Sequence, residues 1–256
     1  MKTFHLCTIV NNWERYQEMR ASFAAAGFDD ATCRFSVFDN REANTHEAYR
    51  AFNQAMEETQ EPYVIFCHQD ILLDRGCGCA ELRDIIQDLE RTDPDWAVLG
   101  NAGVTKDHQV VLRVHDPFSI DWDPDHRPVK VCSLDENFLV IKTASGLRCS
   151  ENLHGFHLYA TDLCLQAAQA KRTCYVVGFY LTHLSTGRLD DSFFAARAAL
   201  QAQWNRRFRF RYVGTVCTTL FLSRSKAARL VFGSSRVTRW LFASPLRHKL
   251  ICRLSD

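Results

Sequence analysis

Four short apolar runs separated by three segments of helical spacing constrain this chain more than any other feature. The runs are "TFHLCTIV" (3–10), "TCRFSVFD" (32–39), "YVIFC" (63–67) and "WAVLG" (96–100). Each has the length of a strand, and the first reads as a buried one. Between them, "NWERYQEMRASFAAAG" (12–27) reads as a helix closed by Gly27 as C-cap. "NTHEAYRAFNQAMEET" (44–59) reads as a second helix with Asn44 or Thr45 as N-cap. "CAELRDIIQDLERT" (79–92) is a third, packing Leu82, Ile85, Ile86 and Leu89. Strands alternating with helices of this length predict parallel pairing in an α/β sheet.

After Gly100 the pattern changes. "HQVVLRVHDP" (108–117) and "RPVKVCSLDENFLVIKT" (127–143) read as strands, joined by the Asp- and Pro-rich loop 116–128. "TDLCLQAAQAKR" (161–172) reads as a helix and "TCYVVGFYLTHLS" (173–185) as a late strand. The expectation is a mixed sheet built onto a parallel first half.

Open α/β sheets bind ligands at the carboxyl ends of their strands. Asp39 follows the second strand, His68-Gln69-Asp70 the third, and His183 the late one. One strand–helix–strand unit separates Asp39 from Asp70, so chain direction alone puts both carboxylates on one rim. A rim Asp with Asn40 suits a ribose or base, although Asp-Asn also initiates turns. A second Asp with a distant His suits a divalent cation holding a diphosphate. His183 also fits a satisfied core histidine.

Composition narrows the classes. The 256 residues allow one large domain, or one domain with an appendage. No apolar run reaches the roughly 18 residues of a membrane span. The opening "MKTFHLCTIVNNW" lacks the pattern of a secretory signal. The 11 cysteines then fit a reducing compartment, mostly as small buried apolar groups. "CGC" at 77–79 has no second cysteine pair at zinc spacing. Charge is uneven. Residues 192–255 hold 13 of the 31 Lys and Arg and no acid, while 18 basic residues stand against 29 acidic ones in 1–191.

With "TIVNNWERYQEMRASF", "VFDN", "AFNQAMEETQEPYVIFCHQDILL", "LDENFLVIK", "FHLYATDLCLQA" and "YLTHLSTG" in this order, residues 3–205 resemble the family-2-like glycosyltransferases of the GT-A fold. The resemblance is to the branch in which the DxD metal motif reads HQD. It implies an α/β fold with a mixed central sheet flanked by helices, and an inverting transferase using a nucleotide-sugar donor with Mn²⁺ or Mg²⁺. It implies that Asp39, with Asn40, Asn11, His68 and Gln69, lies on the donor side. Asp70 would hold the metal that bridges the diphosphate, and His183 would add a later contact. Asp162 matches the catalytic base and Glu136 the acceptor side. By residue chemistry alone, Asp162 equally fits a helix N-terminus and Glu136 a surface turn. His68 replaces the first acid of DxD and so removes one negative charge from the metal site.

The expected division is a transferase domain over 1–212 and a basic, helical, amphipathic extension over 213–256. Val237, Trp240 and Leu241 share one helical face, as do Leu246, Leu250 and Leu254, with Pro245 between the two sets. Basic amphipathic helices with Trp suit an anionic membrane face, and Arg with aromatics also suits nucleic acid. The acidic first part disfavours nucleic acid. The function expected is glycosyl transfer to a glycan or lipid-linked acceptor, as in bacterial surface polysaccharide assembly. The setting expected is the cytoplasm, peripherally on the inner face of the membrane. Two alternatives stay open: a nucleotide-sugar-binding protein without catalysis, and an adaptor acting through the basic tail.

Overall fold

The computed structural model describes residues 2–117, 125–185, 187 and 189–254. The first hundred residues run β1 (Phe4–Val10), α1 (Trp13–Ala25), β2 (Cys33–Asp39), α2 (Ala48–Glu58), β3 (Tyr63–Cys67), β4 (Ile71–Leu72), α3 (Cys79–Thr92) and β5 (Trp96–Gly100). Then come β6 (Ala102–Val104), β7 (Val110–Leu112), β8 (Val114–His115), β9 (Val129–Val131), β10 (Ser133–Leu134) and β11 (Phe138–Lys142). The chain continues through α4 (Tyr159–Gln169), β12 (Thr173–Val176), β13 (Leu181–His183) and α5 (Asp191–Trp204). It closes with β14 (Arg211–Gly214), β15 (Thr219–Leu222), α6 (Lys226–Phe232), α7 (Ser235–Phe242) and α8 (Pro245–Leu254).

A seven-stranded mixed sheet in the order β2-β1-β3-β11-β5-β12-β9 forms the centre. β2, β1 and β3 are parallel, as the alternation of strands and helices predicts. β11 enters between β3 and β5 antiparallel to both. Side chains alternate across this sheet with the period of two that a pleat imposes. Leu6 of β1 and Ile65 and Cys67 of β3 pack with Met19, Phe23, Leu82 and Ile86 from α1 and α3. Cys7, Val64 and Phe66 face the other way, toward Phe52, Tyr159, Leu163 and Leu200 from α2, α4 and α5. Burial on both faces is why these strands read as continuous apolar runs.

The later strands are more broken than expected. Segment 108–117 becomes β7 and β8, interrupted at Arg113, a fully buried arginine whose guanidinium donates to the carbonyls of Val176 and Arg127. Segment 127–143 becomes β9, β10 and β11. Segment 173–185 divides into β12 and β13, which belong to different sheets. The break falls at Gly178, where a Cβ would meet the His126 backbone oxygen at 2.8 Å, so only glycine lets the two segments pass. Much of the Asp/Pro-rich loop, 118–124, lies outside the described residues. α2 begins after Glu47, later than the expected caps Asn44 and Thr45. Asn40 has taken over that loop, its Oδ1 accepting the amides of Thr45 and His46.

The junction expected at 212/213 falls inside β14. The β14–β15 hairpin has two apolar faces. Val213, Leu220 and Leu222 pack into the core that includes α5, while Tyr212 and Phe221 pack with Phe232, Leu241 and Ile251 of the last three helices. The segment after 212 therefore opens with hairpin, and helix begins only at Lys226. Among the described residues, no helix is long and apolar enough to cross a membrane.

Candidate functional site

Parallel pairing carries the carboxyl ends of β2, β1 and β3 to one edge, and a cleft opens there. Its inner lobe, about 510 Å³, is lined by Asn11, Asn40, Phe66, His68, Asp70 and Tyr159, among others. An outer lobe of about 590 Å³ adds Arg15, His157 and Leu184. Asn11, Gln69, Asp70, Ser185 and Asp190 line both lobes.

β13 brings His183 into this rim. It pairs antiparallel with β4, His183 opposite Ile71, and the Leu184 amide donates to the Asp70 carbonyl. His68, Asp70 and His183 each offer one ligand atom, and these atoms lie within 4.8 Å of one another. His183 Nε2 stands 3.3 Å from His68 Nδ1 and 3.5 Å from Asp70 Oδ1. Burial, with the neighbouring His183, pushes His68 down to about 4, so its ring is neutral at neutral pH. Burial also opposes charge on Asp70, but hydrogen bonds from His183 and Ser185 outweigh it and hold the carboxyl well below its usual range. For His183, burial works against protonation, and the Asp70 carboxylate overcomes it and raises the pKa. Two imidazoles and an ionised carboxylate on one small volume form a donor set that fits a divalent cation.

The other expected site residues divide. Asn11, Asn40 and Gln69 line the cleft. Asn40 is also fully engaged in shaping its loop, donating to the His46 carbonyl as well. Asp39 stands at the end of β2 beside Val10, half exposed, and its carboxylate is forked by Arg41. The Arg41 hydrogen bonds hold it down at about 2. Glu136 lies behind the cleft wall formed by Tyr159, whose hydroxyl donates to the Glu136 carbonyl at 3.0 Å. Its carboxyl is pushed well above the usual range by burial and by Asp135, against amides at the start of α4. Its Oε1 has no hydrogen-bond partner among the described residues.

Asp162 is not brought to the cleft. It is fully buried on α4, where its carboxylate accepts from the Ser150 amide at 2.7 Å, the Ser150 hydroxyl at 2.8 Å and Trp204 Nε1 at 2.7 Å. Three donors and no exposed atom give it a structural task, tying α4 to the 150 loop and to α5. Such burial does not suit the catalytic base expected at that position.

Several residues in or beside the cleft have no counterpart in the sequence reading. Arg15 sits in the first turn of α1, where the helix dipole disfavours a cation, and reaches Asp70 Oδ2 at 3.5 Å. Arg41 lies over the Trp13 ring at 4.8 Å, so the Asp39 corner carries an aromatic face. His157 and Asp190 line the outer lobe. Asp190 follows the His183 strand and caps α5.

No family model matches the chain. A protein of Fuscovulum blasticum described as "ATP synthase subunits region ORF 6" is 34% identical over 212 residues, which are 80% of this chain and 84% of that protein. Among solved structures, S. aureus TarS 1–349 in complex with UDP-GlcNAc superposes with a TM-score of 0.54 at 12% identity, over 98% of this chain and 78% of that one. GalNAc-T7 with UDP, GalNAc and Mn²⁺ gives 0.51 at 7% identity, over 72% of this chain but only 44% of GalNAc-T7. At such identities the likeness is one of fold, and the fold is that of GT-A glycosyltransferases.

Proposed function

The chain belongs to the family of the Fuscovulum blasticum ORF 6 protein, and from its fold and its cleft we propose that it is an inverting glycosyltransferase. It takes a sugar from a nucleoside diphosphate sugar and passes it to a glycan or lipid-linked acceptor. The observation that supports this best is the cation-fitting group His68, Asp70 and His183 at the strand-end cleft. The fold neighbours add that TarS was solved with UDP-GlcNAc and GalNAc-T7 with UDP and Mn²⁺. In this reading His-Gln-Asp at 68–70 stands where other transferases of the fold carry DxD.

His68, Asp70 and His183 would hold the cation. Bound there, it would supply positive charge to a departing diphosphate. Mg²⁺ holds to oxygen ligands and keeps its waters, so of the two expected metals we favour Mn²⁺, the ion with which GalNAc-T7 was solved. Arg15 adds a second cation beside the same carboxylate. Asn11, Asn40 and the Asp39–Arg41–Trp13 corner form the nucleoside side. Glu136 sits on the acceptor side, behind Tyr159.

The last three helices support a membrane setting. Leu230, Trp240, Leu246, Leu250 and Leu254 are all more than half exposed, Leu246 at 82%. They stand in a segment with basic residues and no acid. Exposed leucine and tryptophan among cations suit the anionic face of a bilayer. In this reading the enzyme works peripherally on a cytoplasmic membrane face, where it would meet lipid-linked acceptors of surface polysaccharide assembly.

The test is thermal stabilisation of the full chain by nucleoside diphosphates and their sugars, with and without Mn²⁺. A ligand specific to the folded state raises apparent stability by mass action. Stabilisation by at least one of them, larger with Mn²⁺, is expected. No response across uridine, guanosine and thymidine diphosphates would falsify the reading.

A further inference from the structure

His157 lies on the loop before α4 and lines the outer lobe together with Asp70 and Arg15. Its position is fixed from several sides. The Tyr49 hydroxyl donates to its backbone carbonyl at 3.0 Å. Phe193 meets its ring edge-on, with centroids 5.7 Å apart. Nε2 stands 3.1 Å from Ser192 Oγ, and Ser192 Oγ stands 2.5 Å from Asp190 Oδ1.

Proton counting along this chain decides the state of the imidazole. Asp190 is held below the usual carboxylate range by the Ser192 hydroxyl and the Phe193 amide, so it is ionised and can only accept. Ser192 has a single hydroxyl proton, and Asp190 takes it. Ser192 Oγ can then only accept from His157, which makes Nε2 the donor and leaves Nδ1 as the nitrogen open to a proton. Among the described residues, Nδ1 has no hydrogen-bond partner. An imidazole whose Nε2 is committed as donor in this way, backed by a carboxylate through a hydroxyl, is organised to take a proton at Nδ1.

The transfer reading needs such a group, because Asp162 is sealed in the core and Asp70 is engaged by His183. We propose that His157 is the catalytic base of the reaction, with Ser192 and Asp190 as positioning residues. The inference rests on the glycosyl-transfer reading above. As the acceptor oxygen forms its bond to the anomeric carbon, His157 Nδ1 takes the hydroxyl proton. The bond from that carbon to the diphosphate oxygen breaks, and the nucleoside diphosphate leaves with the electron pair. The resulting imidazolium is held by Ser192 and the Asp190 charge.

Asp190 also caps α5, accepting from the amides of Ser192 at 3.0 Å and Phe193 at 3.3 Å. Asn caps helices about as well as Asp. Asp190→Asn therefore keeps the cap and removes only the charge, which separates the two roles.

The experiment uses the full chain with Mn²⁺, UDP as binding probe, and release of nucleoside diphosphate from a panel of uridine, guanosine and thymidine diphosphate sugars as the rate. His157→Gln should bind UDP within about twofold of the parent and turn over ~10²–10⁴ times more slowly. Asp190→Asn should lose about tenfold in kcat with KM held. The ¹⁵N chemical shifts of His157 in the free protein should report the Nε2-protonated ring, and Ser192→Ala should give mixed tautomers. Parental turnover by His157→Gln, or a parent ring protonated on Nδ1, overturns the base assignment while leaving the transferase reading intact. A parent that binds none of the diphosphates removes both.

Discussion

Gln69 clasps Asn11. Its Oε1 accepts the backbone amides of Asn11 and Asn12 at 3.0 and 2.9 Å, and its Nε2 donates to Asn11 Oδ1. The middle residue of His-Gln-Asp thus ties the end of β3 to the end of β1 and to the start of α1, whose N-cap is Asn12. Gln69→Ala should cost about 1 kcal/mol of stability, since the freed amides are near water. It should weaken UDP binding about tenfold, because Asn11 and Arg15 lose their common anchor. Urea denaturation and calorimetric titration measure the two effects separately.

Asp162 should behave as a core residue. All three of its partners donate, so an amide NH₂ in its place faces a donor. Asp162→Asn should destabilise the fold by ~1–3 kcal/mol. Turnover per folded molecule should stay near parental. A large fall in turnover with an unchanged melting temperature would contradict this assignment.

The Asp70–His183 pair gives a signed pH dependence. Asp70 is depressed, so its contribution to stability is present above the ordinary carboxylate value of 3.8 and is lost as pH falls toward its folded value. His183 is raised, so its contribution is present below the ordinary imidazole value of 6.5 and is lost as pH rises through its folded value. The metal-free protein therefore draws most from this pair between those two values. Mn²⁺ needs His183 deprotonated, so its affinity should rise with pH until the raised His183 value is passed and then level off, with release of a proton below that value. Calorimetric titrations of Mn²⁺ in buffers of different ionisation enthalpy check both points. Asp70→Asn should abolish the titration.

The full chain should sediment with anionic vesicles and not with neutral ones. Juxtamembrane basic residues contribute about 1 kcal/mol each near such a surface. Salt should weaken the association as screening shortens its reach to about 8 Å at physiological strength. Leu246 and Leu250 are exposed on one stripe of α8. Replacing both with Glu should lower binding while leaving the cleft unaltered. Equal sedimentation of that variant and the parent would remove the membrane assignment.

The rim was legible in the sequence because parallel strands buried on both faces are short apolar runs, and chain direction then aligns their ends. His68 and Asp70 could be placed that way, whereas His183, 115 residues beyond His68, reaches the rim on β13, which belongs to another sheet and pairs antiparallel with β4. The orientation of Asp162 could not. From Tyr159 to Leu165 every residue of α4 is buried, so the helix has no polar face there to show which way its carboxylate turns. The Asp190–Ser192–His157 chain was hidden for a different reason. Asp-x-Ser before a helix is ordinary capping sequence, and only the fold brings a histidine from 35 residues earlier against it. The start of α2 shifted because a side-chain amide at Asn40 competes for loop backbone groups that local helix signals assign elsewhere.

α5 has both its ends committed. Asp190 stands at its start in the cleft mouth. Farther along, Arg197 and Gln201 donate to the Thr219 and Phe221 carbonyls of the hairpin that underlies α6–α8. At 14 residues it spans on the order of 20 Å. The helix is thus a strut between the reaction mouth and the basic platform. On the membrane setting proposed above, a sheet of lipid that captured the platform would also set the standing height of the mouth, and an acceptor rooted in that lipid would be selected by how far its hydroxyl reaches.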